Sequence, residues 1–346
     1  MGERVQGGTI GGQIGRNLAL EIVRVTEAAA LTAGRWMGRG DKEAADQAAV
    51  DAMRQVLNTV AMDGVVVIGE GEKDAAPMLY LGERLGSAAE PKVDIAVDPI
   101  DGTRLCALGQ PNSIATVAIA ERGALFESPH VMYMEKIAVG PEAAAAIDIE
   151  DTVANNLRRI AAAKRRAVPD LTVIMLDRPR HEGLVAEVRA AGARLRLIGD
   201  GDVAGAVMTA MPGTGVDVLL GIGGAPEAVV AACGLRCLGG AMQCKLWPRN
   251  DAEWAAVREH GIDVGRVLGA EDLAGGDDVF FAATGITDGE LLRGVHYFGD
   301  GATTQSLVMR SRSGTVRKID ATHRLSKLAV LAGAGQEPAM TAADRH

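Results

Sequence analysis

The period of the hydrophobic positions changes along this chain. Between Asn17 and Met37 apolar residues recur at helical spacing, with Leu18, Ile22, Val25, Ala29 and Trp36 on one face, and Gly38-Arg39-Gly40 ends the segment. Asp41 then stands as the cap of a second helix reaching about Val60, with Asp46 in its second turn. Gly64 to Ile68 is a continuous β-branched run, the pattern of a strand buried on both faces. Val93, Ile95 and Val97 alternate as in a strand with one buried face, and Pro99, which has no N–H, is expected to break that ladder. Ser113 to Ile119 and Met132 to Val139 read as further strands. From Leu171 strand and helix alternate. Strands are expected at Leu171–Leu176, Leu195–Ile198 and Val216–Leu220, and helices at His181–Ala191, Val203–Ala210 and Pro226–Leu238. Such βα repetition predicts a largely parallel sheet with ligands beyond the carboxyl ends of its strands. Asp277–Ala283 and a hairpin of Thr303–Met309 with Thr315–Ile319, turning at Ser311 to Gly314, add strands near the C-terminus. Pro141 to Asp151 has no clear period and marks the expected junction between two domains, 17–148 and 149–346, behind a flexible Gly-rich leader over residues 1–16.

Composition narrows the choice of partner. With 346 residues, 48% of them hydrophobic and only 3% aromatic, the chain has an aliphatic core and length enough for two domains. A formal net charge of -9 disfavours nucleic acid and anionic membranes as partners. It leaves room for an anionic substrate where cations reverse the local field. None of the 4 cysteines has zinc-knuckle spacing, and buried, reduced thiols suit a cytoplasmic protein. The N-terminus has no signal-peptide apolar core, and the longest apolar run, Ala225 to Met242, is interrupted by Glu227 and Arg236.

Candidate chemistry gathers at strand ends. Asp98 and Asp101 sit in one tight turn with Gly102 and the hydroxyl of Thr103, a donor set suited to a hard divalent cation. An Asx turn with a helix cap explains the same residues. The loop Gly69-Glu70-Gly71-Glu72-Lys73-Asp74 crowds carboxylates that repel unless a cation collects them. Asp46 by spacing alone reads as part of a solvated helix face. Arg178 and Arg180 flank Pro179 near a helix start, where they are either surface charges or seats for an anion. Asp200-Gly201-Asp202 reads locally as an Asx turn and N-cap. Gly221 to Glu227 reads as a glycine loop with Pro226 and Glu227 in a first helical turn, and it does not match the dinucleotide fingerprint. His181 reads as a surface residue. Met132 to Met134 is expected in the core, with Tyr133 offering a hydroxyl to a ligand.

Taken together these residues resemble a known family. Asp98-Pro99-Ile100-Asp101-Gly102-Thr103, an upstream Gly-Glu-Gly-Glu and a downstream Gly-Ala-Pro-Glu look like the lithium-sensitive, metal-dependent sugar phosphatases. More narrowly, they are similar to the class II fructose-1,6-bisphosphatases of bacteria. Gly38 to Lys42, Ala76 to Tyr80, Tyr133 to Lys136, Pro179 to His181 and Ala283 to Thr287 extend the match from about Asn17 to Lys327. The resemblance implies a layered α/β sandwich of two domains with the active site at their interface, and Mg²⁺ or Mn²⁺ on Asp46, Glu70, Asp98, Asp101 and Glu227. It implies substrate contacts at Asp101, Gly102, Thr103, Tyr133, Arg178, Pro179, Arg180, Asp200, Gly201, Asp202 and Gly224. Some members carry Glu at the position of Asp101. Arg104 to Ser113 varies between members, so Gln110-Pro111 gives no substrate reading.

The implied reaction is hydrolysis of the 1-phosphate of D-fructose 1,6-bisphosphate, a step of gluconeogenesis. A metal-activated water would be positioned by Thr103, assisted by Asp46, in a cytoplasmic homo-oligomer. Alternatives are a sedoheptulose-1,7-bisphosphatase, an inositol-phosphate or nucleotide phosphatase of the same superfamily, or a non-catalytic sugar-phosphate sensor. The haloacid-dehalogenase phosphatases place two Asp one residue apart, whereas two residues separate Asp98 from Asp101.

Overall fold

A computed structural model of the chain describes residues 18–71, 78–127 and 130–332. The expected leader, together with Glu72, Lys73, Asp74, Ala76 and Pro77, lies outside the described residues. In chain order the elements begin with α1 (Leu18–Ala33), α2 (Lys42–Leu57), β1 (Asp63–Ile68), β2 (Arg84–Leu85), β3 (Lys92–Asp101), α3 (Thr103–Leu108), β4 (Ile114–Glu121) and β5 (Tyr133–Val139). There follow α4 (Val153–Ala163), β6 (Thr172–Leu176), α5 (Glu182–Ala190), β7 (Arg194–Ile198), α6 (Asp202–Met208), β8 (Val218–Gly224), α7 (Ala225–Leu238), β9 (Ala241–Leu246) and α8 (Asp251–His260). The last are β10 (Leu268–Gly269), α9 (Ala270–Leu273), β11 (Phe280–Gly285), β12 (His296–Phe298), β13 (Gly301–Arg310), β14 (Thr315–Arg324) and α10 (Leu325–Ala332).

Strands buried on both faces dictate a layered structure, because successive side chains must enter different cores. Ile95 and Val97 pack with α1 and α2, while Ala96 between them packs with α6 and α7. Phe280 and Phe281 divide in the same way. In the second sheet Ala138 faces α6 and α7, and its neighbours Ile137 and Val139 face α4 and α5. The layers are therefore helix, sheet, helix, sheet, helix, an α/β sandwich. α7 is Ala-rich and buried nearly all round because it lies between two sheets. This is why its sequence contains the longest apolar run, and among the described residues no helix is long and apolar enough to cross a membrane.

The first sheet runs β12-β13-β11-β4-β3-β1-β2 with β14 added on β13, and only β1 and β3 are parallel. The second runs β10-β9-β5-β8-β6-β7. The expectation of a largely parallel sheet needs correcting. β6 is parallel to both β7 and β8, but β5 lies between β8 and β9 and is antiparallel to both. It follows β4 of the first sheet in chain order and precedes the βα repeat, so the crossovers that make β6, β7 and β8 parallel do not set its direction. A second correction concerns Pro99. β3 continues through it to Asp101, with a register shift against β4 between Asp98 and Asp101. The irregularity absorbs the missing N–H.

Candidate active site

The bulge in β3 decides where two carboxylates go. In a regular strand, residues three apart point to opposite faces. With the register shifted, Asp98 and Asp101 both line one cavity of about 290 Å³. Gly102 follows with φ +90, a left-handed conformation at the N-cap of α3 that favours glycine. Thr103 is thus the first helical residue rather than the cap, and its hydroxyl donates to the Ile100 carbonyl at 3.1 Å.

The same cavity is lined by Asp46 from α2, Glu70 beyond β1, Asp200 and Asp202 at the start of α6, and Glu227 in the first turn of α7. Asp41 caps α2, accepting from the Ala44 N–H at 3.0 Å. Asp46, one turn on, is half-buried in the cavity wall rather than on a solvated face. Asp200 and Asp202 do not cap α6; Gly201 is the N-cap and has no side-chain bond to give. The helix N-terminus is instead served from the first sheet, where Asp101 Oδ2 accepts from the Ala204 N–H at 2.9 Å. Gly221 to Gly224 extend β8 rather than forming a loop, although Pro226 and Glu227 do enter the first turn of α7. Gly224 lacks a side chain where the Glu227 carboxylate folds back against the backbone.

Crowding shows in the proton affinities. Burial and the charges of Asp46 and Glu227 push Glu70 up to about 7. Burial, then Asp101, Glu227, Glu70 and Asp46, holds Asp98 well above the usual carboxylate range. Asp101 is raised by burial and by Asp202, Asp200 and Glu227, against the Ala204 N–H. Glu227 is raised by burial and Asp202, and Asp46 by burial.

The donor set fits a hard divalent cation. Every donor is a carboxylate oxygen, and Glu227 Oε2 is buried with no hydrogen-bond partner. Among the described residues no three His, Cys, Asp or Glu side chains close on a common point as a finished ligand set. The carboxylates line one shared cavity.

One cation lies within the acid cluster that the sequence reading did not single out. Lys136 is buried on β5, and its Nζ meets Asp202 Oδ2 at 2.7 Å. Burial alone would lower its proton affinity, but Asp202 and Glu227 outweigh burial and raise it. The signal was a Lys on the inward parity of a strand, between Met134 and Ala138. Lys136→Met leaves the Asp202 carboxylate unpaired at a site where its side chain is only 11% exposed. We expect a loss of up to about 3 kcal/mol, with a lower Tm in calorimetry. An unchanged Tm would show that Asp202 is solvated through the cavity.

Tyr133, Arg178, Pro179 and Arg180, implied as substrate contacts, lie outside the set of residues that line this cavity. Tyr133 pairs in register with Gly224. Arg180 reaches across β8 to the Ile222 carbonyl, with Nη2 at 2.7 Å, and lies 5.1 Å from the Tyr133 ring centroid. Arg178 donates to the Gly199 carbonyl and lies 3.6 Å from Asp200. Pro179 begins the short 3₁₀ turn between them. His181 is buried, not superficial. Its Nε2 accepts from the Ile222 N–H at 2.8 Å and Nδ1 donates to the Leu176 carbonyl, so it ties β6 to β8. Met134 is buried as expected, but Met132 precedes β5 and is exposed.

Comparison with known proteins decides the family. The family model described as bacterial fructose-1,6-bisphosphatase, glpX-encoded, matches residues 16–323. The chain belongs to that family. It is 48% identical over 325 residues to fructose-1,6-bisphosphatase 1 class 2 of Escherichia coli strain K12, covering 90% of this chain and 96% of that protein. The class 2 fructose-1,6-bisphosphatases of Escherichia coli O6:H1 and Shigella flexneri match with the same identity and coverage. Within the class II fructose-1,6-bisphosphatases, then, this chain presents seven acidic side chains on one cavity wall.

Proposed function

We propose that the chain hydrolyses the 1-phosphate of D-fructose 1,6-bisphosphate to fructose 6-phosphate and phosphate. The observation that carries this reading is the convergence of Asp46, Glu70, Asp98, Asp101 and Glu227, with Thr103, on one cavity in a member of this family. Those five carboxylates would hold Mg²⁺ or Mn²⁺. Such an ion supplies a water of lowered pKa and offsets the charge of the phosphoryl group.

The chain's own residues position the reactants. Thr103, its hydroxyl proton directed to Ile100, can accept from a water and aim it at phosphorus in line with the leaving oxygen at C1. Asp46, on the wall of the same cavity, takes the water's proton. The bond between phosphorus and the C1 oxygen breaks as the new one forms, the leaving oxygen takes a proton from solvent water, and no phosphoenzyme arises. Asp200 and Asp202 bind sugar hydroxyls, and Arg178 and Arg180 hold the distal phosphate. In this reading the protein works in the cytoplasm as a homo-oligomer, and its four free, buried cysteines suit a reducing compartment.

The test is phosphate release from fructose 1,6-bisphosphate, sedoheptulose 1,7-bisphosphate and inositol monophosphate, with Mg²⁺, Mn²⁺ or a chelator. Release from the fructose ester, lost on chelation, is expected. No release, or faster release from inositol monophosphate, would overturn the reading. Arg180→Ala is expected to raise KM for the bisphosphate about tenfold with kcat little changed, measured by initial rates. An unchanged KM would remove Arg180 from the distal site.

A further inference from the structure

Tyr133 is flanked by a second guanidinium that comes from neither strand end considered so far. Arg249 lies 4.9 Å from its ring centroid, and Trp247 lies 6.4 Å away with its plane tilted by 55°. Both residues belong to the connection between β9 and α8. The Trp247 N–H donates to the Tyr133 carbonyl at 2.9 Å, which pins the exit of β9 to the start of β5. Asn250 caps α8, and Glu253 in its first turn accepts from the Arg249 backbone N–H at 2.9 Å and from Nε at 2.7 Å. Glu253 is buried, so this hold fixes the guanidinium instead of leaving it to sample solvent.

Arg180 is fixed from the other side by the Ile222 carbonyl, through Nε and Nη2. Each guanidinium is therefore oriented by an internal acceptor, and that of Arg249 by the Tyr133 side chain as well. Two guanidinium groups held beside one ring favour a dianion that reaches both of them. Tyr133 is the register partner of Gly224, against which Glu227 folds. Tyr133 on β5 and Gly224 on β8 are thus neighbours across adjacent strands, next to the Glu227 side of the acidic cavity.

We propose that Arg249 is a specificity-determining residue, which with Arg180 seats the distal phosphate of a ketose bisphosphate beside Tyr133. The inference rests on the proposed function and names a residue that the sequence motifs do not contain.

It is tested with R249M and R249K on fructose 1,6-bisphosphate and on fructose 1-phosphate, which lacks the distal ester. Calorimetry of fructose 6-phosphate binding provides a readout independent of turnover. The Arg249 side chain is 41% exposed, so both variants are expected to fold. R249M should raise KM for the bisphosphate about 10- to 100-fold at nearly constant kcat, weaken fructose 6-phosphate binding comparably, and leave kcat/KM for fructose 1-phosphate unchanged. R249K should recover part of the loss. If R249M affects both substrates equally, or changes neither KM nor product binding, Arg249 has only a structural role and the proposal falls. If the unsubstituted protein turns over neither ketose phosphate, the proposed function itself falls and takes this inference with it.

Discussion

Thr103→Ala is expected to lower kcat by about 10²- to 10⁴-fold while leaving the fold intact. The hydroxyl stands at the start of α3, on the wall of the acidic cavity, and its proton is directed to the Ile100 carbonyl. That arrangement leaves oxygen lone pairs to receive and aim a water, which a methyl group cannot do. The structural cost of the change is small. The cap of α3 is Gly102, with no side-chain bond to lose, so only one partly exposed hydrogen bond goes, about 1 kcal/mol. A large kinetic effect with a small change in Tm therefore separates positioning of the water from support of the turn. Thr103→Ser, which keeps the hydroxyl, should recover most of the rate. Near-wild-type turnover of the alanine variant, in steady-state assays at saturating divalent cation, would remove Thr103 from the reaction.

What the sequence disclosed about this site depends on which contacts are local. The β-branched run ending at Ile68, the alternation from Val93 to Val97 and the Asp41 cap are short-range features, and each element formed where its pattern lies. Direction within the second sheet is a long-range property. The βα alternation after Leu171 holds for β6, β7 and β8, but nothing local says that β5 will insert beside them in reverse. The acids show the same division. Asp98 and Asp101 are legible as a pair because only Pro99 and Ile100 separate them. Asp46 reads as surface because its partners Glu70, Asp98 and Glu227 arrive from other elements. Asp200 and Asp202 read as caps because the residue that in fact serves the N-terminus of α6, Asp101, is 103 positions away. His181 and Lys136 are the same lesson in the core. A polar residue within or beside a strand gives no local sign of burial until the carbonyl, amide or carboxylate that satisfies it folds into place.

Asp98→Asn is expected to abolish turnover and, in chelator, to make the protein more stable than the unsubstituted chain. Asp98 sits where the charges of Asp101, Glu227, Glu70 and Asp46 meet, and both burial and repulsion favour its neutral form. An amide of the same shape is neutral at every pH, so it never adds to that crowd the charge that the carboxylate adds once it ionises. Relief of that repulsion is read as a higher Tm in chelator. The pH dependence follows with a definite sign. Glu70 holds its proton up to about 7 in the folded chain, against 4.5 for the free side chain. Between those values the folded state binds more protons than the unfolded state, so stability falls as pH rises through the window. Chelated protein should accordingly melt higher at pH 6 than at pH 8, and Asp98→Asn, by removing a neighbouring charge, should flatten the slope. Divalent cation reverses the order of the two proteins. An ion bound only by the folded state at a hundred times its Kd adds about 2.7 kcal/mol to the unsubstituted chain, and less to a variant that has lost a ligand. Differential scanning calorimetry with and without Mn²⁺ reads both signs. A variant that melts lower than the unsubstituted protein in chelator would mean that Asp98 is held by a stabilising partner, and the carboxylates would then not be a repelling set awaiting a cation.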